Sequence, residues 1–270
     1  MDKKFATIFT VFILLLAQET WADIVTSTTY SLSTGLGAEF MHYEENDSED
    51  EIHSMADTYS YIFNLEGVAS SEKMSITFRA SIPISLVKGE EKWEMAGWEY
   101  QTNNLVYDWS RFDFLVGNKG GTSTGIYGGL RRSEVTQRRS NFVSYGTPVE
   151  ANAIEKVKSI GIIMGAGGTT LISDRLTWDY RMEYFMPLAV EVTNNYFPGF
   201  KANNCSGYAF EGKTGMRYLY KKSLYFNISL HGGMIHWAGS GMIPYDDGFA
   251  KWPENHSNYL GLTLGTSFRF

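Results

Sequence analysis

The chain has 270 residues and a formal net charge of −7. Phosphate neutralisation needs clustered Lys and Arg, so an acidic chain of this kind excludes nucleic acid as a partner. The single cysteine, Cys205, excludes an intrachain disulfide framework and a cysteine metal cluster.

The N-terminus reads Met1-Asp2-Lys3-Lys4, then an apolar run from Phe5 to Ala17, then Thr20-Trp21-Ala22 before Asp23. A positive start, a short apolar stretch and a small residue at the cleavage point predict a signal peptide over 1–22. The apolar run is too short for a spanning helix, which needs about 20 residues. The remainder, 23–270, shows no linker, repeat or low-complexity tract and is expected to form one domain.

From Tyr30 to Phe40, Leu32, Leu36, Ala38 and Phe40 alternate with serine, glycine and Glu39, the period of a strand. An acid-rich stretch, Glu44 to Asp57, reads as a loop. Thr58 to Ala69 is the next strand, with a turn at Ser70-Ser71-Glu72-Lys73. Met74 to Val87 alternates again, with Pro83 predicting a bulge because proline cannot donate to a ladder. Lys88 to Asn104 reads as a long connection. In the strand Leu105 to Gly117 the parity slips around Trp109-Ser110, which predicts a bulge or a late start.

Asn118 to Gly121 is expected to turn, and Thr122 to Ser133 to form the fifth strand. Glu134 to Glu155 reads as a second long loop, followed by a weaker strand from Val157 to Gly167. After Gly168 to Asp174 comes a clear strand, Leu176 to Met186, in which Trp178, Tyr180, Met182 and Tyr184 alternate with Asp179, Arg181 and Glu183. Asn194 to Ser206 is a loop, Gly207 to Leu219 a strand, Tyr220 to Ser223 a turn, and Leu224 to Trp237 a strand. Ala238 to His256 is the last loop. The final strand, Ser257 to Phe270, sets Leu260, Leu262, Leu264, Thr266, Phe268 and Phe270 against Gly261, Thr263, Gly265, Ser267 and Arg269.

About ten strands joined by alternately long and short connections predict an all-β protein, a closed antiparallel transmembrane β-barrel. Aromatics at 15% and 27 glycines suit the interfacial girdles and crowded inner wall of such a barrel. The slightly negative mean hydropathy does not oppose it, because only alternate strand residues meet lipid. An even strand count puts both termini on the periplasmic side, with short turns there and long loops outside.

The last residues resemble the C-terminal signal of bacterial outer-membrane β-barrels: Gly265, then Phe268 and the terminal Phe270 with one residue between. That resemblance implies an outer-membrane address, outer-membrane lipid as the surroundings, and the barrel-assembly machinery as a partner during insertion.

The polar face then lines the lumen, and it carries Glu39, Glu66, Arg79, Arg111, Asp113, Asp179, Arg181, Glu183, Glu211, Lys213, Arg217 and Arg269. Both signs are present, and unpaired charges out of water are costly, so a compensating network that fills a narrow barrel is expected ahead of a pore lining. Ten strands lie close to the eight whose interior is filled by side chains.

The strand number and loop layout are similar to the omptin proteases, whose catalytic residues are an Asp pair and an Asp–His pair at the barrel mouth. The second long connection here has Glu90, Glu91 and Glu94 but no Asp pair, and Asn194 to Ser206 has no His. Asp246-Asp247 and His256 share the last loop, where neighbouring acids are usually solvated. Ser229 and His231 share an inward face and are the one His/Ser pair that an envelope hydrolase could use, although a base also needs an orienting acid. Adjacent His256 and Ser257 point to opposite faces.

Gly165-Ala166-Gly167-Gly168 lacks the lysine and helix of a phosphate loop. The acids of Glu44 to Glu51 lack calcium-loop spacing and read as a solvated run, and no metal or cofactor is expected. The expected function is a small channel or a structural or adhesive envelope protein, with a possible extracellular ligand at the loops. The alternatives are a barrel-embedded envelope hydrolase and a secreted soluble β-sandwich binding protein.

Overall fold

The computed structural model describes residues 28–47, 51–118, 124–203, 205–246 and 248–270. The predicted signal peptide at 1–22 and most of the turn expected at Asn118 to Gly121 lie outside the described residues. In chain order the strands are β1 (Thr29–Asp47), β2 (Ile52–Ser70), β3 (Met74–Val87), β4 (Gly89–Met95), β5 (Trp98–Asn118), β6 (Thr124–Ser144) and β7 (Thr147–Ser173). There follow β8 (Leu176–Asn194), β9 (Lys201–Asn203), β10 (Gly207–Lys221), β11 (Leu224–Trp237), β12 (Ile243–Tyr245), β13 (Gly248–Ala250) and β14 (Glu254–Arg269).

Neighbouring strands pair antiparallel, and the sheet closes on itself. β1 pairs β2 from Thr29↔Ser70 to Asp47↔Ile52, and on its other edge it pairs β14 from Ser31↔Arg269 to Asn46↔Glu254. β3 and β4 each pair both β2 and β5, so they form one stave interrupted at Lys88. The ring therefore runs β1, β2, β3 with β4, β5, β6, β7, β8, β10, β11, β14 and back to β1. β9 is a short addition to β8, and β12 and β13 form a separate hairpin in the last connection. Closure pairs the first stave with the last, which is what allows a sheet to stand in hydrocarbon.

Pro83 sits where the β2–β3 register shifts, Tyr61↔Ser85 being followed by Ile62↔Pro83. The parity slip near Trp109 has a different cause from the bulge expected there. β5 keeps unbroken register with β6 from Asn104 to Gly117. What changes is the environment. Phe112, Phe114 and Val116 face outward while Arg111 and Asp113 are buried inside; one turn higher, Leu105, Tyr107 and Trp109 are the buried ones and Asn104, Asp108 and Ser110 face out. The strand leaves the bilayer at that point, so the apolar face switches from outside to inside.

The same inversion occurs around the wall. On β1 the outward residues from Tyr30 to Phe40 are apolar except Thr34, then come His42 and Glu44, while Met41 and Tyr43 turn inward. On β14 the outward side from Leu260 to Phe268 is apolar except Thr266, and Tyr259 is buried inside. The barrel thus has a lower belt that is apolar outside and polar inside, and an upper part with a core of its own, including Tyr43, Leu105, Tyr107, Val135, Val192 and Trp237.

This upper part corrects two expected loops. Lys88–Asn104 is β4, a two-residue turn and the start of β5; Glu134–Glu155 is the top of β6, another two-residue turn and the start of β7. Ala96-Gly97 (φ 51° and 82°) and Tyr145-Gly146 (φ 49° and 75°) have positive φ at both central positions, the turn that matches strand twist. β7, at 27 residues, is well over twice the 9–11 that a span requires. Likewise β1 and β2 extend into the stretch Glu44–Asp57.

Candidate functional site

The inner wall of the belt carries a network that crosses the lumen. Arg131 on β6 grips Asp113 of β5 through Nε (2.7 Å) and Nη2 (3.1 Å) and reaches across to Glu211 of β10. Arg79 on β3 lies 2.8 Å from Asp113 Oδ2 and 2.5 Å from Glu183 Oε1 of β8. Arg111 on β5 donates to Glu39 Oε2 of β1 at 3.1 Å and stacks 3.7 Å from the centre of the Trp109 ring. The Tyr127 hydroxyl donates to Glu183 at 2.7 Å. Arg181 Nη1 bonds Glu66 Oε2 at 2.9 Å, and Lys213 lines the same space.

Five carboxylates (Glu39, Glu66, Asp113, Glu183, Glu211) therefore meet five cations (Arg79, Arg111, Arg131, Arg181, Lys213), and the space left among them is a cavity of about 80 Å³. Room of that size suits a few water molecules rather than a solute. Nearer the turn end, Asp179 holds Arg217 in a fork with contacts of 2.5 and 2.6 Å. Arg269, the last of the sequence-predicted lumen charges, pairs with Ser31 at that rim and is exposed. Arg131, the centre of the network, is absent from the sequence-derived set. Parity with Gly125, Tyr127 and Gly129 was the signal available, masked by the adjacent Arg132.

His231 is bound into this network. Its direct cross-strand partner is Gly261, whose other partner is Glu39. A Cβ at Gly261 would stand 2.4 Å from His231 Nε2. The missing side chain leaves the gap through which His231 Nε2 reaches Glu39 Oε2 at 3.1 Å. The ring is thus paired with a carboxylate, among the described residues no hydrogen bond joins it to Ser229, and it lies beside the cross-lumen ion pairs. His256 faces outward, while Ser257 is buried inside near the Tyr107 hydroxyl, at 3.5 Å.

Above the network, at the loop end, a second site opens as a pocket of about 370 Å³ lined by Trp93, Phe142, Phe197, Phe200 and Trp252 together with Glu45, Arg139 and Glu155. Ligand pockets span about 300–1,000 Å³ with mostly apolar walls and a few convergent polar groups. Glu91 stands behind the lining and holds Arg139 in place. It is fully buried and accepts from Arg139 Nε (2.8 Å) and Nη2 (3.0 Å), Asn103 Nδ2 (2.7 Å) and Ser54 Oγ (3.2 Å). Arg139 Nη2 also donates to Glu45 Oε2 at 2.8 Å, and the Tyr43 hydroxyl donates to the same oxygen. Glu155 accepts from Trp252 Nε1 at 3.0 Å and Asn194 Nδ2 at 3.4 Å.

One guanidinium thus holds two carboxylates, Glu91 and Glu45, and its charge acts on a third, Glu155. Burial pushes the Glu45 carboxyl up to about 7; Arg139 opposes the rise, while repulsion from Glu155 and Glu91 adds to it. Burial likewise raises Glu155. Carboxyls that hold a proton near neutral pH can donate as well as accept a hydrogen bond, and such groups in a cleft mark candidate sites. Glu45, Glu91, Arg139 and Glu155 fall in stretches that read as loop or loop edge. Glu45, in particular, is buried rather than part of a solvated run. The alternation Glu91, Trp93 against Glu90, Lys92, Glu94 was visible, but with the polar residues outside it did not look like a membrane strand.

No family model matches the chain, and no curated protein matches it in sequence. Among solved structures it is similar to the outer membrane protease OmpT of Escherichia coli, with a TM-score of 0.61 and 11% identity over 91% of this chain and 97% of that one. Weaker likenesses are to the outer membrane protein OprG of Pseudomonas aeruginosa (TM-score 0.34, 10% identity, 90% and 96% covered) and to Ail, the attachment invasion locus protein of Yersinia pestis (TM-score 0.33, 10% identity, 91% and 100% covered). With its closed ring, apolar outer belt and polar lumen, the chain has the fold of a bacterial outer-membrane β-barrel.

Proposed function

We propose that this outer-membrane barrel is a closed, surface-displayed binding protein and not a channel. The observation that carries this reading is the lumen crossing by Arg79, Arg111 and Arg131. Their guanidiniums join β3 to β8, β5 to β1 and β6 to β10, strands three or four staves apart in the ring, so each pair bridges the lumen. The pocket above that plug supplies the ligand-binding surface, and its aromatic walls suit an apolar body bearing hydrogen-bond donors. Glu39 gives His231 an orienting carboxylate, but among the described residues no hydrogen bond joins His231 to Ser229, and the nucleophile–base contact of a hydrolase is therefore not made. The C-terminal Gly265, Phe268 and Phe270 serve as the sorting signal read by the assembly machinery.

Planar-bilayer recording of the purified, refolded barrel tests the closed state. We expect no stepwise conductance above the lipid background. Reproducible single-channel steps from the unmodified protein would overturn the proposal and restore the channel reading.

A further inference from the structure

Of the five histidines in the chain, four face away from the barrel interior above the apolar belt: His42, His53, His236 and His256. The strands that carry them, β2, β1, β14 and β11, are consecutive around the seam where the first and last staves meet. Acids alternate with them on the same face. His236 and His256 are directly opposed across β11–β14, with their rings stacked 6.1 Å apart. His256 is in turn directly opposed to Glu44 across β1–β14, and its Nε2 lies 3.2 Å from Glu44 Oε2. Glu254 precedes His256 by two on the same face of β14 and brings Oε1 to 3.7 Å from His236 Nδ1.

We propose that His236, Glu254 and His256 bind a divalent transition-metal ion of the zinc class, with Glu44 completing the set. One donor atom from each of the three lies within 4.8 Å of the other two. Ligands of a tetrahedral zinc at its usual bond lengths stand about 3.3 Å apart. The Glu254–His236 separation of 3.7 Å and the Glu44–His256 separation of 3.2 Å are close to that spacing before any rotamer moves. Two imidazoles with carboxylates suit zinc, copper or nickel; magnesium and calcium prefer all-oxygen sets. His236 and His256 are held on paired strands, so the ion meets ligands already placed, and partial exposure of all four side chains gives it a path in from solvent.

The ion would clasp three staves from outside. Glu44 belongs to the first strand, Glu254 and His256 to the last, and His236 to the strand before it. It would also pin both ends of the 238–253 connection, whose Trp252 forms part of the mouth pocket.

Calorimetric titration of tag-free, refolded barrel with Zn²⁺ at pH 7.5 tests this, using the Cys205→Ser form so that the thiol contributes nothing. We expect one ion per barrel. His236→Ala and His256→Ala should each weaken binding about tenfold or more, and the double variant should abolish it, whereas His53→Ala should leave it unchanged. Co²⁺ in place of zinc should give the visible absorption of a four-coordinate ion, lost in the double variant. Heat-modifiable gel mobility shows that each variant still forms a barrel. Absence of saturable Zn²⁺ binding below millimolar concentration in the parent, or binding that survives in the folded double variant, would overturn the assignment.

Discussion

Replacing Arg131 with alanine probes the plug most directly. Its guanidinium forks onto Asp113 at 2.7 and 3.1 Å, contacts both oxygens of Glu211, and lies 3.6 Å from Glu183 Oε2. In Arg131→Ala, Asp113 keeps Arg79 at 2.8 Å, and Glu183 keeps Arg79 and Tyr127. Glu211 is left with Arg111 at 3.9 Å as its nearest cation. Breaking a buried pair on one side costs about 3–5 kcal/mol, because a charge remains without compensation. Urea unfolding of the refolded barrel in detergent micelles, followed by tryptophan fluorescence, should show a loss of that size. Adding Glu211→Gln should recover part of it, since the orphaned charge is then gone, and the cycle should give a coupling of about 1–3 kcal/mol. A single variant within about 1 kcal/mol of the parent, or two strictly additive substitutions, would refute the view that these charges form one compensated network.

The mouth pocket makes a prediction about pH. Glu45 has a folded-state value of about 7 against an ordinary 4.5, so the folded barrel binds the extra proton. Stability should therefore fall as pH rises from about 4.5 through 7, by an amount on the order of 3 kcal/mol at most. Unfolding midpoints at pH 5 and pH 8 should differ less in Glu45→Gln than in the parent; an unchanged difference would place the titration elsewhere. For the C-terminus, deletion of Phe270 should reduce the fraction of protein recovered as heat-modifiable barrel in outer membranes. Equal recovery would remove that residue from the sorting signal.

The belt was legible in the chain because strand periodicity is local. Leu260 to Phe270 needs only the two-residue repeat of its own backbone to display an apolar and a polar face. For the same reason Glu39, Arg79, Arg111, Asp113, Glu183 and Glu211 could be assigned to the interior from parity alone. One polarity rule does not hold along a whole strand. Above the bilayer, water replaces lipid outside and packed side chains replace the polar lumen inside. Leu105, Tyr107 and Trp109 therefore exchange faces with Phe112 and Phe114, and β4 with the tops of β6 and β7 looked like loop.

Which charges meet was decided only by closure of the ring. Arg131 and Glu211 are 80 positions apart in the chain, and nothing local selects that partner. Closure of the ring brings β10, three staves from β6, to face it across the lumen, and the low dielectric between them makes leaving either group unpaired expensive. The same holds for the outer face: the histidines at 42, 236 and 256 are scattered in sequence, and they became neighbours when the last strand paired with the first.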